Sequence, residues 1–154
     1  MTAILVVEND RDTREMLEYI LIKEGYEVHS EADGKASLEA AEARPPDLFL
    51  LDLMIPYPDG IDVCLELRSR RRFATTPIVM VSAKSGIADA QCGLLAGADD
   101  YIIKPFSVRD VVGRVEAAFR RPTHPRDLRP GPAVRLPRHP RDFHPTQPAT
   151  SRRP

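Results

Sequence analysis

The chain has only two cysteines, Cys64 and Cys92, in 154 residues. Neither belongs to a CxxC or Cys/His cluster, which argues against a thiolate metal site or a redox pair and leaves buried structural thiols as the expectation. Long apolar runs are also missing. A membrane span takes roughly 20 apolar residues, and the short Ile4–Val7 run lacks the basic segment that precedes an export signal. A cytoplasmic protein is therefore expected. Between Glu8 and Thr13 there is no glycine, so the first apolar run is not followed by the GxGxxG loop of a dinucleotide-binding enzyme.

Proline is abundant but unevenly placed. Nine of the 15 prolines follow Arg120, and charge divides at the same point. Residues 1–119 carry 13 basic and 21 acidic side chains, a net of -8, whereas residues 120–154 carry nine and two, a net of +7. The sequence divides into a domain at 1–119 and a Pro/Arg-rich tail at 120–154. Frequent proline removes the backbone donors that a helix or sheet needs, so the tail is expected to be disordered. It has no lysine and, for base stacking, only Phe143. Nucleic acid is not an expected partner, except through the tail's charge. No second periodic region follows the first domain, so no output domain is expected after it.

Residues 1–119 alternate short β-branched apolar runs with segments of helical period, the pattern of a parallel sheet covered on both faces. Strands are read at Ile4–Val7, Tyr26–His29, Asp47–Leu51, Pro77–Val81 and Asp100–Ile103. Helices are read at Asp12–Glu24, Gly34–Arg44, from Ile61 to the basic run Arg68–Arg72, at Ile87–Ala96, and from the cap Ser107 to Phe119. The first should bury Met16, Leu17, Ile20 and Leu21, and the last Val108, Val111, Val112 and Val115. Gly25 and Gly97 suit helix C-termini. The architecture is (βα)5, an α/β doubly wound five-stranded parallel sheet.

All strand C-termini of such a sheet reach one edge, where ligands bind. Here the apolar runs lead into Glu8-Asn9-Asp10, Asp52, Ser82 and Lys104. Each alone reads as a cap or turn residue. Together they supply a carboxylate nucleophile, a hydroxyl donor, a cation and hard oxygen ligands for a metal, the needs of phosphoryl transfer to an aspartate. His29 lies on a strand away from this edge and reads as structural.

The stretches ILVVEND, PDLFLLDLMIPYPDG, PIVMVSAKSG and ADDYIIKPF resemble, in order and spacing, the response-regulator receiver family of two-component signalling. The resemblance covers residues 1–119 and implies a flavodoxin-like, CheY-like fold with strand order 2-1-3-4-5. It implies that Asp52 accepts a phosphoryl group from a sensor histidine kinase or a histidine phosphotransfer protein, that Lys104 pairs with that group, and that Ser82 hydrogen-bonds it. Glu8, Asn9, Asp52 and the backbone carbonyl of Met54 would hold Mg²⁺. Lys104-Pro105 matches the family's cis peptide, and Ser82 with Tyr101 its switch pair. Such a protein is a phosphoacceptor switch rather than a turnover enzyme, and it acts as a monomer or as a phosphorylation-dependent homodimer. The downstream partner is not legible.

One position departs from the family pattern. Receivers usually place a second carboxylate where this chain has Asn9, whose amide oxygen can ligate a metal but brings no charge. Weaker Mg²⁺ binding and slower phosphorylation are expected. The alternative is a protein-binding module of the same fold that works without phosphorylation. Asp10 is expected to cap the first helix.

Overall fold

In a computed structural model the β-branched runs pair as a five-stranded parallel sheet in the order β2-β1-β3-β4-β5. The structure describes residues 1–83 and 87–121, the side chains of 87–90 excepted, so the tail from residue 122 lies outside the described residues. The strands are β1 (Ala3–Val7), β2 (Glu27–Glu31), β3 (Leu48–Asp52), β4 (Ile78–Ser82) and β5 (Asp100–Ile103). The connecting helices are α1 (Arg11–Lys23), α2 (Gly34–Ala43), α3 (Gly60–Ser69), α4 (Ile87–Leu95) and α5 (Val108–Arg120).

Strand alternation divides the core in two. Leu5, Val7, Phe49, Leu51, Ile78 and Met80 join the α3 residues Ile61, Val63, Cys64 and Leu67 on one face. Ile4, Val6, Leu48, Leu50, Val79 and Val81 meet Leu17, Ile20 and Leu21 of α1 and Val111 and Val115 of α5 on the other. β3 and β4 are buried at every position. That is why their sequences are continuous apolar runs rather than alternating ones.

Each described N-cap of an α-helix has an identifiable side-chain acceptor. Asp10, Asp33, Asp59 and Ser107 accept backbone N–H bonds at the starts of α1, α2, α3 and α5, and Ser107 forms a reciprocal capping box with Asp110. Gly25 and Gly97 have φ of +96° and +117°, which lets the chain turn out of α1 and α4.

Several expectations need correction. Met16 and Val108 are exposed, at 46% and 58%, because each stands at the margin of its helix's apolar stripe. Cys64 is fully buried, but Cys92 is only partly so. β2 runs two residues further than its apolar letters suggested. As an edge strand it pairs only with β1, and its Glu-Val-His-Ser-Glu sequence is partly exposed throughout. The basic run Arg68–Arg72 is not a uniform helix end: α3 stops at Ser69 and a 3-10 turn follows at Arg71–Phe73, with Phe73 buried against Phe49.

Candidate functional site

Parallel pairing brings the ends of β1, β3, β4 and β5 to one edge. Asp52 is the last residue of β3 and is 5% exposed; Ser82 ends β4, fully buried; Glu8 follows β1 at 2%. Lys104 follows β5, and its backbone N–H donates to the Ser82 carbonyl at 2.8 Å, which ties the β5 exit to the end of β4. The Lys104-Pro105 bond is cis, and so is Tyr57-Pro58.

The structure brings three of the predicted side chains into contact. Lys104 Nζ lies 3.0 Å from Asp52 Oδ2 as a hydrogen bond and 2.9 Å from Glu8 Oε1 as an ion pair. The second contact lies off the bonding direction, so Glu8 Oε1 is buried without an aligned donor. The remaining carboxylate oxygens are held by backbone. The Asp10 N–H donates to Glu8 Oε2 at 3.0 Å, and the Met54 N–H donates to Asp52 Oδ1 at 2.9 Å.

Electrostatics follow from this geometry. Burial lifts the Glu8 carboxyl above its ordinary range; Lys104 and the Asp10 N–H pull it back, while neighbouring Asp52 pushes it up. Burial also works against the ammonium charge of Lys104, but Glu8 and Asp52 outweigh it and hold the group protonated above its ordinary value. The site is thus an ammonium shared by two buried carboxylates.

Other predicted residues are placed less centrally. Asn9 is exposed, and so is the Met54 side chain at 58%. Tyr101 is 9% exposed in the α3-side core, where a methyl on Gly93 of α4 would touch its ring at 3.4 Å. His29 lies on β2 with its Nε2 3.3 Å from Glu27, away from the site. Asp10 caps α1, accepting from the Thr13 N–H at 2.9 Å and the Thr13 hydroxyl at 2.7 Å.

Two supporting groups were not foreseen. Arg14 Nη1 donates to the carbonyls of Glu8 at 2.9 Å and Asn9 at 3.4 Å, pinning the loop that presents them. Gly60, the first residue of α3, abuts the end of β3: a Cβ there would stand 2.4 Å from the Asp52 carbonyl oxygen. The Asp59-Gly60 pair carried a turn signal, but this close approach has none in the local sequence.

A doubly wound sheet with a Lys-paired aspartate at its carboxyl edge is what the sequence motifs implied, and comparison with known proteins decides the family. The profile of the response regulator receiver domain matches residues 4–116. The chain belongs to the response-regulator receiver family, whose members are phosphorylation-dependent switches of two-component signalling. It is 43% identical over 121 residues to response regulator ArlR of Staphylococcus epidermidis, covering 79% of this chain and 54% of that protein. It is 40% identical over 121 residues to sensory transduction protein RegX3 of Mycobacterium tuberculosis, covering 79% and 52%. The chain thus spans about half the length of these curated relatives. Among solved structures, chemotaxis response regulator CheY4 of Vibrio cholerae superposes with a TM-score of 0.74 at 26% identity, over 77% of this chain and 98% of that one. The CheY-like fold is therefore shared. Among the described residues, no helix of the receiver is long and apolar enough to cross a membrane.

The donor set also fits the family's metal. Among the described residues no three His, Cys, Asp or Glu side chains converge, so a divalent cation here would meet two carboxylates rather than three. Hard oxygens suit Mg²⁺, which commonly takes one or two carboxylates and keeps several waters. The buried Glu8 Oε1, which has no aligned donor, is an oxygen such a cation would satisfy.

Proposed function

We propose that Asp52 is the phosphoacceptor of this receiver and that the chain is a signalling switch driven by a sensor histidine kinase or a histidine phosphotransfer protein. The observation that carries this reading is the 3.0 Å contact of Lys104 Nζ with Asp52 Oδ2 at the carboxyl edge of the sheet. An Asp52 oxygen attacks the phosphorus of a phosphohistidine whose other ring nitrogen carries a proton, the P–N bond breaks with its electron pair staying on nitrogen, and the donor leaves as a neutral imidazole. Lys104 neutralises the transferred group as a compact point charge, and the Ser82 hydroxyl donates to one of its oxygens. Glu8, Asp52, the Asn9 amide oxygen and the Met54 carbonyl would hold Mg²⁺, which would supply further charge neutralisation.

The chain accelerates its own phosphorylation and its own hydrolysis but turns over no separate substrate, so it is a switch and not an enzyme. Phosphorylation draws Ser82 toward the phosphoryl group and Tyr101 into the space behind it, changing the face made by α4, β5 and α5. The receiver extends over 1–119, the segment 120–154 is a separate basic tail, and the protein works in the cytoplasm as a monomer or as a homodimer formed on phosphorylation. Incubation with acetyl phosphate and Mg²⁺, followed by intact-mass spectrometry, tests the central point. One added phosphoryl group is expected, and it should be absent in Asp52→Asn. An unmodified wild-type chain would refute the reading in favour of a phosphorylation-independent binding module.

A further inference from the structure

Strand alternation sets Glu27, His29 and Glu31 on the α2 side of β2, whereas Ser30 on the other side meets Glu18 of α1. With Ala40, Ala43 and Arg44 they line a groove of about 380 Å³ beside the sheet edge, within the usual size range of ligand clefts. The helix wall is largely apolar and the strand wall bears the carboxylates. Arg44 Nη2 and His29 Nε2 each stand 3.3 Å from Glu27, but all three side chains are at least one-third exposed, so these contacts are weak. Among the described residues no ion pair reaches Glu31.

The sequence beyond Arg121 matches this groove in chemistry. Pro-x-His-Pro-Arg-Asp occurs at 122–127 and again at 137–142, each copy followed by an apolar residue, Leu128 and Phe143. Residues 122–154 carry seven arginines against Asp127 and Asp142, whereas residues 1–119 have a net charge of -8. A polyproline II helix has three residues per turn. In that form the second copy puts Pro137 and Pro140 on one face and Arg138 and Arg141 on the next, and proline makes the form inexpensive in entropy. The first copy has Thr123 in place of the first arginine. The two guanidinium stems start about 9 Å apart and the Glu27 and Glu31 Cα atoms lie about 13 Å apart, a gap that long arginine side chains close.

The tail also leaves the domain at the right place. Phe119, near the end of α5, stacks on Tyr26 with ring centroids 5.6 Å apart, and Tyr26 directly precedes Glu27. Taken as a random coil, the fifteen residues 122–136 span roughly 20 Å, against about 17 Å for the five residues of β2.

We infer that the Pro/Arg-rich tail docks in cis in the β2–α2 groove through residues 137–143, with Pro137 and Pro140 against Ala40 and Ala43 and with Arg138 and Arg141 against Glu27 and Glu31. Tethering supplies an effective concentration of the order of millimolar, so a contact too weak to form between dilute molecules forms within one chain. The β2–α2 face of this receiver is then open to other partners only when the tail is displaced.

Nitroxide broadening of backbone amide signals in the full chain tests it. Cys64 is fully buried, so Thr146→Cys in a Cys92→Ser background offers one accessible thiol beside the motif. At about 0.01 M ionic strength, where charges act over about 30 Å, the label should broaden the amides of β2 and of residues 40–44 well beyond those of β5 at the opposite sheet edge. At about 1 M, where the range is about 3 Å, that contrast should be lost. Arg138→Glu with Arg141→Glu should abolish it, as should Glu27→Arg with Glu31→Arg, and the four changes together should restore it. A contrast that survives either pair, or fails to return in the four together, would overturn the groove assignment. Equal broadening at both sheet edges, or none, would overturn docking itself. Spin-labelled chain mixed with unlabelled ¹⁵N chain reads the rival occupant: broadening of β2 in that mixture would overturn docking in cis in favour of the tail of a second copy.

Discussion

Replacement of Arg68 by Met would remove a guanidinium that makes four hydrogen bonds to two stretches of chain, residues 73–76 and 97–99. Arg68 lies near the end of α3. Its Nε donates to the Gly97 carbonyl at 2.9 Å, its Nη1 to the Phe73 and Thr76 carbonyls at 2.7 Å each, and its Nη2 to Asp99 Oδ2 at 2.9 Å. The Arg68 and Asp99 side chains are 9% and 7% exposed. Asp99 also accepts from the Ile78 N–H at 2.8 Å. One side chain thus joins the 3-10 turn, the start of β4 and the turn between α4 and β5 to α3. Removing one partner of a buried ion pair costs about 3–5 kcal/mol, because the other charge stays buried. Loss of the three carbonyl bonds comes on top of this, so about 4 kcal/mol is the expected total, within the upper part of that range. A domain of this size has roughly 5–15 kcal/mol to lose.

Urea unfolding followed by far-UV circular dichroism measures this without tryptophan, which the chain lacks. Arg68→Met should lower the midpoint by the equivalent of about 4 kcal/mol, and in an Asp99→Asn background by about 2 kcal/mol less, since no buried charge is then stranded. A loss below about 1 kcal/mol in the first variant, or equal losses in the two backgrounds, would refute the argument.

Gly60→Ala should cost about 2–3 kcal/mol in the same assay and slow phosphorylation by acetyl phosphate, because the added carbon meets the Asp52 carbonyl at 2.4 Å and the Leu53 Cα at 2.6 Å, both backbone atoms; unchanged stability and rate would contradict that packing. Ser107→Ala removes the capping box of α5 and should cost about 1 kcal/mol, measured by urea midpoint, with no effect on Mg²⁺ affinity. Asp10 is held below the ordinary carboxylate value of 3.8 by the Thr13 hydroxyl and N–H. Its contribution is therefore present above that value and lost as pH falls through the lower folded one. Melting temperatures of Asp10→Asn should converge on those of wild type in that acid window, and curves that stay parallel would count against the cap.

How much of this was legible in the chain depends on whether a feature is local. β3 and β4 were read nearly to the residue because burial on both faces leaves a continuous apolar run. β2 was read two residues short at its end because an edge strand exchanges half its burial for solvent and keeps little apolar signal. The Asp52 and Lys104 ends were legible because ionic residues interrupt apolar runs at the same point in each repeat. Arg68 was not: it stands in a run of arginines, and only the return of Phe73, Thr76, Gly97 and Asp99 to one place distinguishes it from its exposed neighbour Arg71. Met16 and Val108 fail for a related reason, since a helical stripe has margins and periodicity does not say which side of the margin meets a neighbour.

The loops that carry the site are also anchored in a way that bears on how it works. The segment after β3 is fastened at both ends. The Gly34 and Lys35 N–H groups at the start of α2 donate to the Pro56 and Tyr57 carbonyls at 2.8 Å each, and the Gly60 N–H returns to Leu53 at 3.0 Å. The loop after β1 is held by Arg14 and by the Asp10 cap. Free N–H groups at helix starts would otherwise need water or caps, so these loop carbonyls satisfy α2 while fixing the backbone beside Asp52. Among the described residues, the Lys104 side chain is held by the two carboxylates it bridges. Backbone N–H groups thus hold the acidic groups of the site, whereas its ammonium is held by one hydrogen bond to Asp52 and one ion pair to Glu8.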